Sequence, residues 1–205
     1  MRESKLKPDR SDWTGYFDAQ AGRSVRPLLV HALEARAGAP AGRAIDLGCG
    51  EGTETRHLLA NGWRVQAFDG DPAAELRVRA GLNPDQLERL SFTQVTFEQL
   101  DDLPPADLIH AGFALPFCAE VAFPSLWKHV RSALLPGAFL AAELFGPHDE
   151  WAGRADMNFH DRGQVDALLA GLTVHSLVEE DRLGASSFGP KHWHVFHLIA
   201  ERPVV

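Results

Sequence analysis

The chain is poor in several features that would each have pointed to a function. Only two of its 205 residues are cysteine, Cys49 and Cys118. Two thiols are too few for a disulfide scaffold, and they fit a reducing, cytoplasmic setting. Neither a Cys-x-x-Cys nor a His-Glu-x-x-His spacing is present to gather a zinc ion. No apolar run approaches the ~18 residues of a membrane span, and the opening stretch MRESKLKPDRSDW is polar where a signal peptide is apolar. Positive charge is not in excess: the formal net charge is -8, with 28 acidic residues against 20 basic ones. A surface that tracks phosphates needs a basic stripe, so nucleic acid is a disfavoured partner. Internal repeats and low-complexity linkers are missing too. What remains is an ordinary globular balance, 45% hydrophobic and 23% charged. It fits one domain over 1–205, with 1–37 as a helical leading segment.

The chain alternates strand and helix patterns. Helices are expected at 24–37, 51–62, 73–80, 123–135 and 162–169, and strands at 44–47, 63–68, 90–96, 106–111, 138–145, 173–179 and 193–200. Pro136-Gly137 is a helix-stop pair, and 181–191 is expected to be a loop between the last two strands. Such alternation implies an α/β fold: a doubly wound, seven-stranded, mostly parallel sheet with helices on both faces.

Chemistry concentrates in Ala44-Ile45-Asp46-Leu47-Gly48-Cys49-Gly50-Glu51-Gly52-Thr53. A buried strand ends near a carboxylate and turns through three glycines into a helix. Glycine accepts positive φ and lets a ligand lie against the backbone. A dinucleotide fingerprint, G-x-G-x-x-G, is one reading. However, Thr53 stands where the third glycine belongs, and Asp46 would repel a pyrophosphate while suiting an ammonium group. Downstream, Asp69 ends the next strand 21 residues after Gly48, close to the ~20 at which a βαβ unit places its ribose-binding acid. A carboxylate can accept one hydrogen bond from each hydroxyl of a diol. Asp71 is near enough to compete, although Pro72 after it marks a turn or a helix cap.

These segments resemble the class I S-adenosylmethionine-dependent methyltransferases, whose order of strands and helices covers nearly the whole chain. ADLIHAGFALPFC (106–118), PGAFLAAELFG (136–146) and WHVFHLIAER (193–202) are similar to the small single-domain tellurite-resistance and thiopurine methyltransferases. The resemblance implies a Rossmann-like fold and S-adenosyl-L-methionine as cofactor, with S-adenosyl-L-homocysteine as product. It also implies in-line methyl transfer to a small molecule or small anion. Gly48, Cys49, Gly50 and Gly52 would cradle the methionine part, Asp46 would orient it, and Asp69 with Gly70 would take the ribose. Phe97 and Glu98 would meet the adenine, although the Gly-Asp pair often found there is missing. Those two residues also read as core and helix start. Ala111, Gly112 and Phe113 would run beneath the sulfonium, where an aromatic face gains cation–π attraction; packing of a strand end is the plainer reading. Trp13, Tyr16 and Phe17 would form either a lid or a hydrophobic anchor. A non-catalytic cofactor-binding module and a protein or RNA methyltransferase stand as alternatives.

The sulfonium leaves as a neutral group, so the reaction itself forces no catalytic residue. Should the acceptor lose a proton, His148 and His160 are the candidate bases, since imidazole titrates near neutrality. Against this, Asp161 reads as a helix N-cap and His148 sits in a turn. His192, His194 and His197 invite a metal. On a strand, however, the first two share a face that the third does not, and no metal site is expected.

Overall fold

The computed structural model describes residues 17, 20, 22–36, 38–186 and 189–204. Trp13 and Tyr16 lie outside the described residues. In chain order the elements are α1 (Pro27–Ala35), β1 (Arg43–Leu47), α2 (Thr53–Ala60), β2 (Arg64–Asp69), α3 (Ala74–Arg79), α4 (Pro84–Glu88) and β3 (Leu90–Gln94). They continue with β4 (Ala106–Ala111), α5 (Phe123–Ala133), β5 (Leu134–Phe145), α6 (Arg162–Leu168), β6 (Thr173–Ser186) and β7 (Gly189–Glu201). The strands form one seven-stranded sheet in the order β3-β2-β1-β4-β5-β7-β6. β3 to β5 are mutually parallel, and β7 runs antiparallel to both its neighbours. The chain reverses direction across the sheet between β1 and β4, the place where open α/β sheets open a crevice at their carboxyl ends.

The central strands are nearly continuous apolar runs because both faces are covered. Alternate residues divide between two cores. Ala44, Val65, Ala67 and Leu108 pack with Leu29 of α1 and Leu58 of α2. Ile45, Leu47, Phe68 and Ile109 pack with Leu126 and Val130 of α5 and Val165 of α6. Asp161 caps α6 as expected. Its side chain accepts from the backbone N–H of Gln164, whose side chain accepts from Asp161 N–H, both at 2.8 Å. The same reciprocal box between Asn83 and Gln86 starts α4, a short helix missed in the sequence.

Two expectations need correcting at the β5–β7 end. Pro136-Gly137 do not follow a helix; α5 stops at Ala133, and the pair lies inside β5. There the register with β4 jumps from Ala106–Leu134 to Leu108–Phe139, an irregularity that absorbs the proline. The segment 181–191 is not a loop either. β6 and β7 pair as a long hairpin from Thr173–Glu201 to Ser186–Gly189. Its polar sequence misled because β6 is a largely exposed edge strand, where charged side chains discourage a further strand from pairing.

Candidate functional site

Two cavities sit side by side at the carboxyl edge of the sheet. The first, about 430 Å³, is bounded by the turn after β1, the end of β2, residues 95–98 and residues 110–114. Phe17, Arg23 and Arg26 bound its remaining side. The turn is bound to β2 by backbone: Gly48 and Cys49 N–H both donate to the Phe68 carbonyl, at 2.8 and 3.1 Å. Both key glycines hold positive φ, +66° at Gly48 and +50° at Gly50. A Cβ on Gly48 would stand 2.4 Å from the Ala114 Cβ, and one on Gly50 would stand 2.6 Å from the Phe17 ring. Conformation and space therefore both require glycine.

Asp69 is tied to this turn. Its Oδ2 accepts from Gly50 N–H at 2.7 Å and its Oδ1 from Asp71 N–H at 2.8 Å. Burial raises its pKa, and these two bonds only partly oppose the shift. Each oxygen keeps a second lone pair that can face a ligand. Asp71 also lines the cavity, but it accepts from Ala73 N–H at 2.7 Å and lies 3.7 Å from Arg77, as a turn residue does.

Asp46 has a more occupied role than its motif position implied. It is 1% exposed; Oδ1 pairs with His110 Nδ1 at 2.8 Å, and Oδ2 accepts the Thr55 hydroxyl at 2.6 Å. Burial alone would lower the His110 pKa, but the bond and charge of Asp46, with Glu54 and Glu143, raise it. The Nδ1–H of His110 is thus spent on Asp46. Its buried Nε2 has no hydrogen-bond partner among the described residues, and His110 lines the cavity. Beside it, Glu54 takes Arg23 in a two-pronged pair at 2.6 and 2.5 Å and accepts Arg26 N–H at 3.0 Å. Burial works against this charge, yet Arg23 holds the carboxyl at about 2. In the sequence His110 carries only a strand-end signal, and Arg23, Arg26 and Glu54 carry none. A charge pair 31 residues apart leaves no local pattern.

The structure brings Asp46, Gly48, Cys49, Gly50, Asp69, Gly70, Phe97, Glu98, Gly112 and Phe113 to this one cavity, with Phe17 above the turn. Two expected residues stand apart. Gly52 is the N-cap of α2 and packs on Val78, and Ala111 is fully buried in the core beneath the wall. Both were drawn in by sequence adjacency.

The second cavity, about 610 Å³, shares Gln20, Arg26, Phe113 and Phe117 with the first and extends over β5, β6 and β7. Trp151 lines it, but neither candidate base does. His160 packs on Phe123 at 4.5 Å between ring centroids and bonds Asn158 Oδ1 at 2.8 Å. Burial pushes its pKa down to about 4. His148 is exposed in the turn after β5, where its Nδ1 meets Asp181 of the β6–β7 hairpin at 2.8 Å. Ligating atoms of His148, Asp181 and His194 lie within 4.8 Å of one another. However, His194 Nδ1 accepts from His148 N–H at 3.1 Å and Nε2 faces Glu179 at 3.0 Å, which engages both its nitrogens. His197 lines the second cavity from the other face of β7, as the strand alternation required.

Comparison with known proteins agrees with this geometry. A family model described as a methyltransferase domain matches residues 45–140. The trans-aconitate 2-methyltransferase of Deinococcus radiodurans is 29% identical over 117 residues, 56% of this chain and 42% of that protein. The one from Methylobacterium nodulans is 30% identical over 139 residues, 65% of this chain and 50% of that protein. The chain thus spans about half the length of the curated relatives it matches. TehB from Haemophilus influenzae superposes with a TM-score of 0.71 at 14% identity, covering 91% of this chain and 66% of that one. The N-methyltransferase NodS from Bradyrhizobium japonicum, solved with S-adenosyl-L-homocysteine, gives 0.65 at 15% identity, covering 92% and 97%. Residues 45–140 thus match a methyltransferase domain, and the chain as a whole shares the fold of these two solved structures. Among the described residues, no helix is long and apolar enough to cross a membrane.

Proposed function

We propose that the protein binds S-adenosyl-L-methionine in the first cavity and transfers its methyl group to a small molecule held in the second. One observation carries this reading: the glycine turn after β1 and the Asp69 carboxylate at the end of β2 face one cavity and are joined by a hydrogen bond, Gly50 N–H to Asp69. The cavity volume lies within the range of small-ligand sites, and its groups match the parts of the nucleotide. Gly48, Cys49 and Gly50 leave room for the methionine chain. Asp69 takes the ribose hydroxyls beside Gly70. Val95, Thr96, Phe97 and Glu98 bound the adenine end, where Phe97 offers a ring face. At the methionine end, His110 and Arg26 suit the carboxylate and Glu54 suits the ammonium, while Asp46 acts through His110.

When bound, the cofactor supplies an activated carbon and a neutral leaving group. The chain's part is alignment and the exclusion of water. The two curated relatives are named for trans-aconitate, a small molecule, and the acidic balance speaks against nucleic acid as acceptor. The two buried cysteines, too few for a disulfide scaffold, fit a cytoplasmic setting. Titration calorimetry with S-adenosyl-L-homocysteine tests the reading. Binding that is lost in Gly48→Val supports it, and no heat on folded wild-type protein overturns it.

A further inference from the structure

The second cavity has an unusual lining for a site of its size. Strand alternation brings Trp193, Val195 and His197 of β7 to one face, next to Phe145 of β5, and Phe113, Phe117 and Trp151 close over them. The rings form a contiguous cage: Phe113 to Trp193 is 5.8 Å between centroids, Phe145 to Trp193 is 5.9 Å, and Trp151 to Trp193 is 6.0 Å. Underneath, Lys191 places its ammonium 3.8 Å from the Trp193 ring and 4.1 Å from the Trp151 ring. It is bonded to buried Asp149 at 2.5 Å, so the two indoles are held by a neutralised support.

Into this apolar slot projects one titratable ring. His197 Nδ1 stands 3.4 Å from Glu143 Oε1 on β5, and Nε2 stands 3.8 Å from Glu180 Oε2 on β6. Glu143 is 2% exposed and is itself fixed by the Phe113 N–H at 3.1 Å. Buried Glu143 is the nearer carboxylate, so the neutral ring carries its proton on Nδ1 and offers Nε2 as the acceptor, the arrangement that prepares an imidazole as a general base. Phe113, whose ring lies 6.1 Å from that of His197, also walls the first cavity.

We propose that the second cavity receives a planar aromatic compound bearing a weakly acidic hydroxyl, and that His197 takes its proton. This rests on the methyl-donor reading above. In the step the acceptor's O–H bond breaks and its proton goes to His197 Nε2. The oxygen bonds the methyl carbon as the carbon–sulfur bond breaks, and that electron pair stays on sulfur. Glu143 and Glu180 stabilise the imidazolium. They would also repel an anionic acceptor at this position. The two arginines do not reverse that preference, because Arg182 is already 3.0 Å from Glu180 and Arg26 lies over the Phe113 ring at 4.8 Å.

The test uses a naphthol and the matching naphthoate, which share a planar body but differ in whether a proton must leave. Naphthol should quench the tryptophan fluorescence of the protein loaded with S-adenosyl-L-homocysteine. It should also be methylated when S-adenosyl-L-methionine is supplied. His197→Asn should slow that turnover about 10²-fold or more and remove the acid limb of the kcat profile, with naphthol quenching and S-adenosyl-L-homocysteine binding unchanged. Trp193→Ala should abolish the quenching. The proposal is overturned if naphthol neither quenches nor turns over on protein that binds S-adenosyl-L-homocysteine. Preferred use of naphthoate, or naphthol turnover that ignores His197→Asn, also overturns it. Failure of the wild-type protein to bind S-adenosyl-L-homocysteine would strike the methyl-donor reading itself.

Discussion

The first cavity is a product of backbone, and the second a product of side chains spread along three strands. Around β1 and β2, two left-handed glycines and a ladder of N–H donors shape the wall, and the participants fall in two short segments, the turn after β1 and the end of β2. Around β5, β7 and β6, the wall is made of rings and charges brought together by antiparallel pairing: Glu143 opposite His197, and His197 opposite Val178. A backbone-built site tolerates almost no change at its turns but is indifferent to distant residues. A side-chain-built site tolerates single losses in shape yet depends on charge partners far away in the chain.

Substitutions on either side of this divide test it. The largest effect is expected from Gly48→Val, which must leave φ +66° or drive its Cβ into Ala114. Calorimetry should detect no S-adenosyl-L-homocysteine binding, and retained affinity would refute the claim that the turn is sterically closed to side chains. Next comes Lys191→Met, which leaves buried Asp149 without its cation. Removing one member of a buried pair costs about 3–5 kcal/mol, measurable by urea unfolding, whereas S-adenosyl-L-homocysteine affinity of the folded protein should hold. Adding Asp149→Leu should return part of the loss. If the single variant instead weakens cofactor binding, the two halves are not separable.

Asp69→Ala should follow, weakening S-adenosyl-L-homocysteine binding about 10- to 100-fold, the range for hydrogen bonds to a charged group. The same variant frees Gly50 N–H, so the turn itself should gain hydrogen exchange. The smallest effect concerns His160. Its folded pKa of about 4 lies below the ordinary 6.5, so the unfolded chain takes up a proton first as pH falls. Stability is full above 6.5 and declines between 6.5 and about 4, with about 1 kcal/mol lost at pH 5.5. His160→Gln should flatten that part of the unfolding profile while leaving cofactor affinity alone. A pH-dependent change in turnover traced to His160 would restore it as a base.

The same contrast explains what could be read in advance. The order of strands, the glycine turn and the position of Asp69 were legible because backbone constraints write themselves locally, as a glycine, an acid or an apolar run. Asp161 was legible as a cap for the same reason. His197 was visible only as a residue facing away from His192 and His194, because its meaning depends on Glu143, 54 residues earlier. Arg23 and Glu54 hid in the same way. The loop expected at 181–191 failed because an exposed edge strand has no apolar period to display.

Phe113 lines both cavities. Among the described residues it alone holds positive φ without being glycine, at 52°, a conformation that costs about 1–3 kcal/mol. Its place between the chambers is therefore set by the main chain, through the Glu143 bond and the stacked Arg26, rather than by a rotamer. Engineering that seeks a roomier slot by shortening this ring would keep the doorway where it is. Moving the doorway takes a change at Glu143 or Arg26, and such a change reshapes both rooms at once.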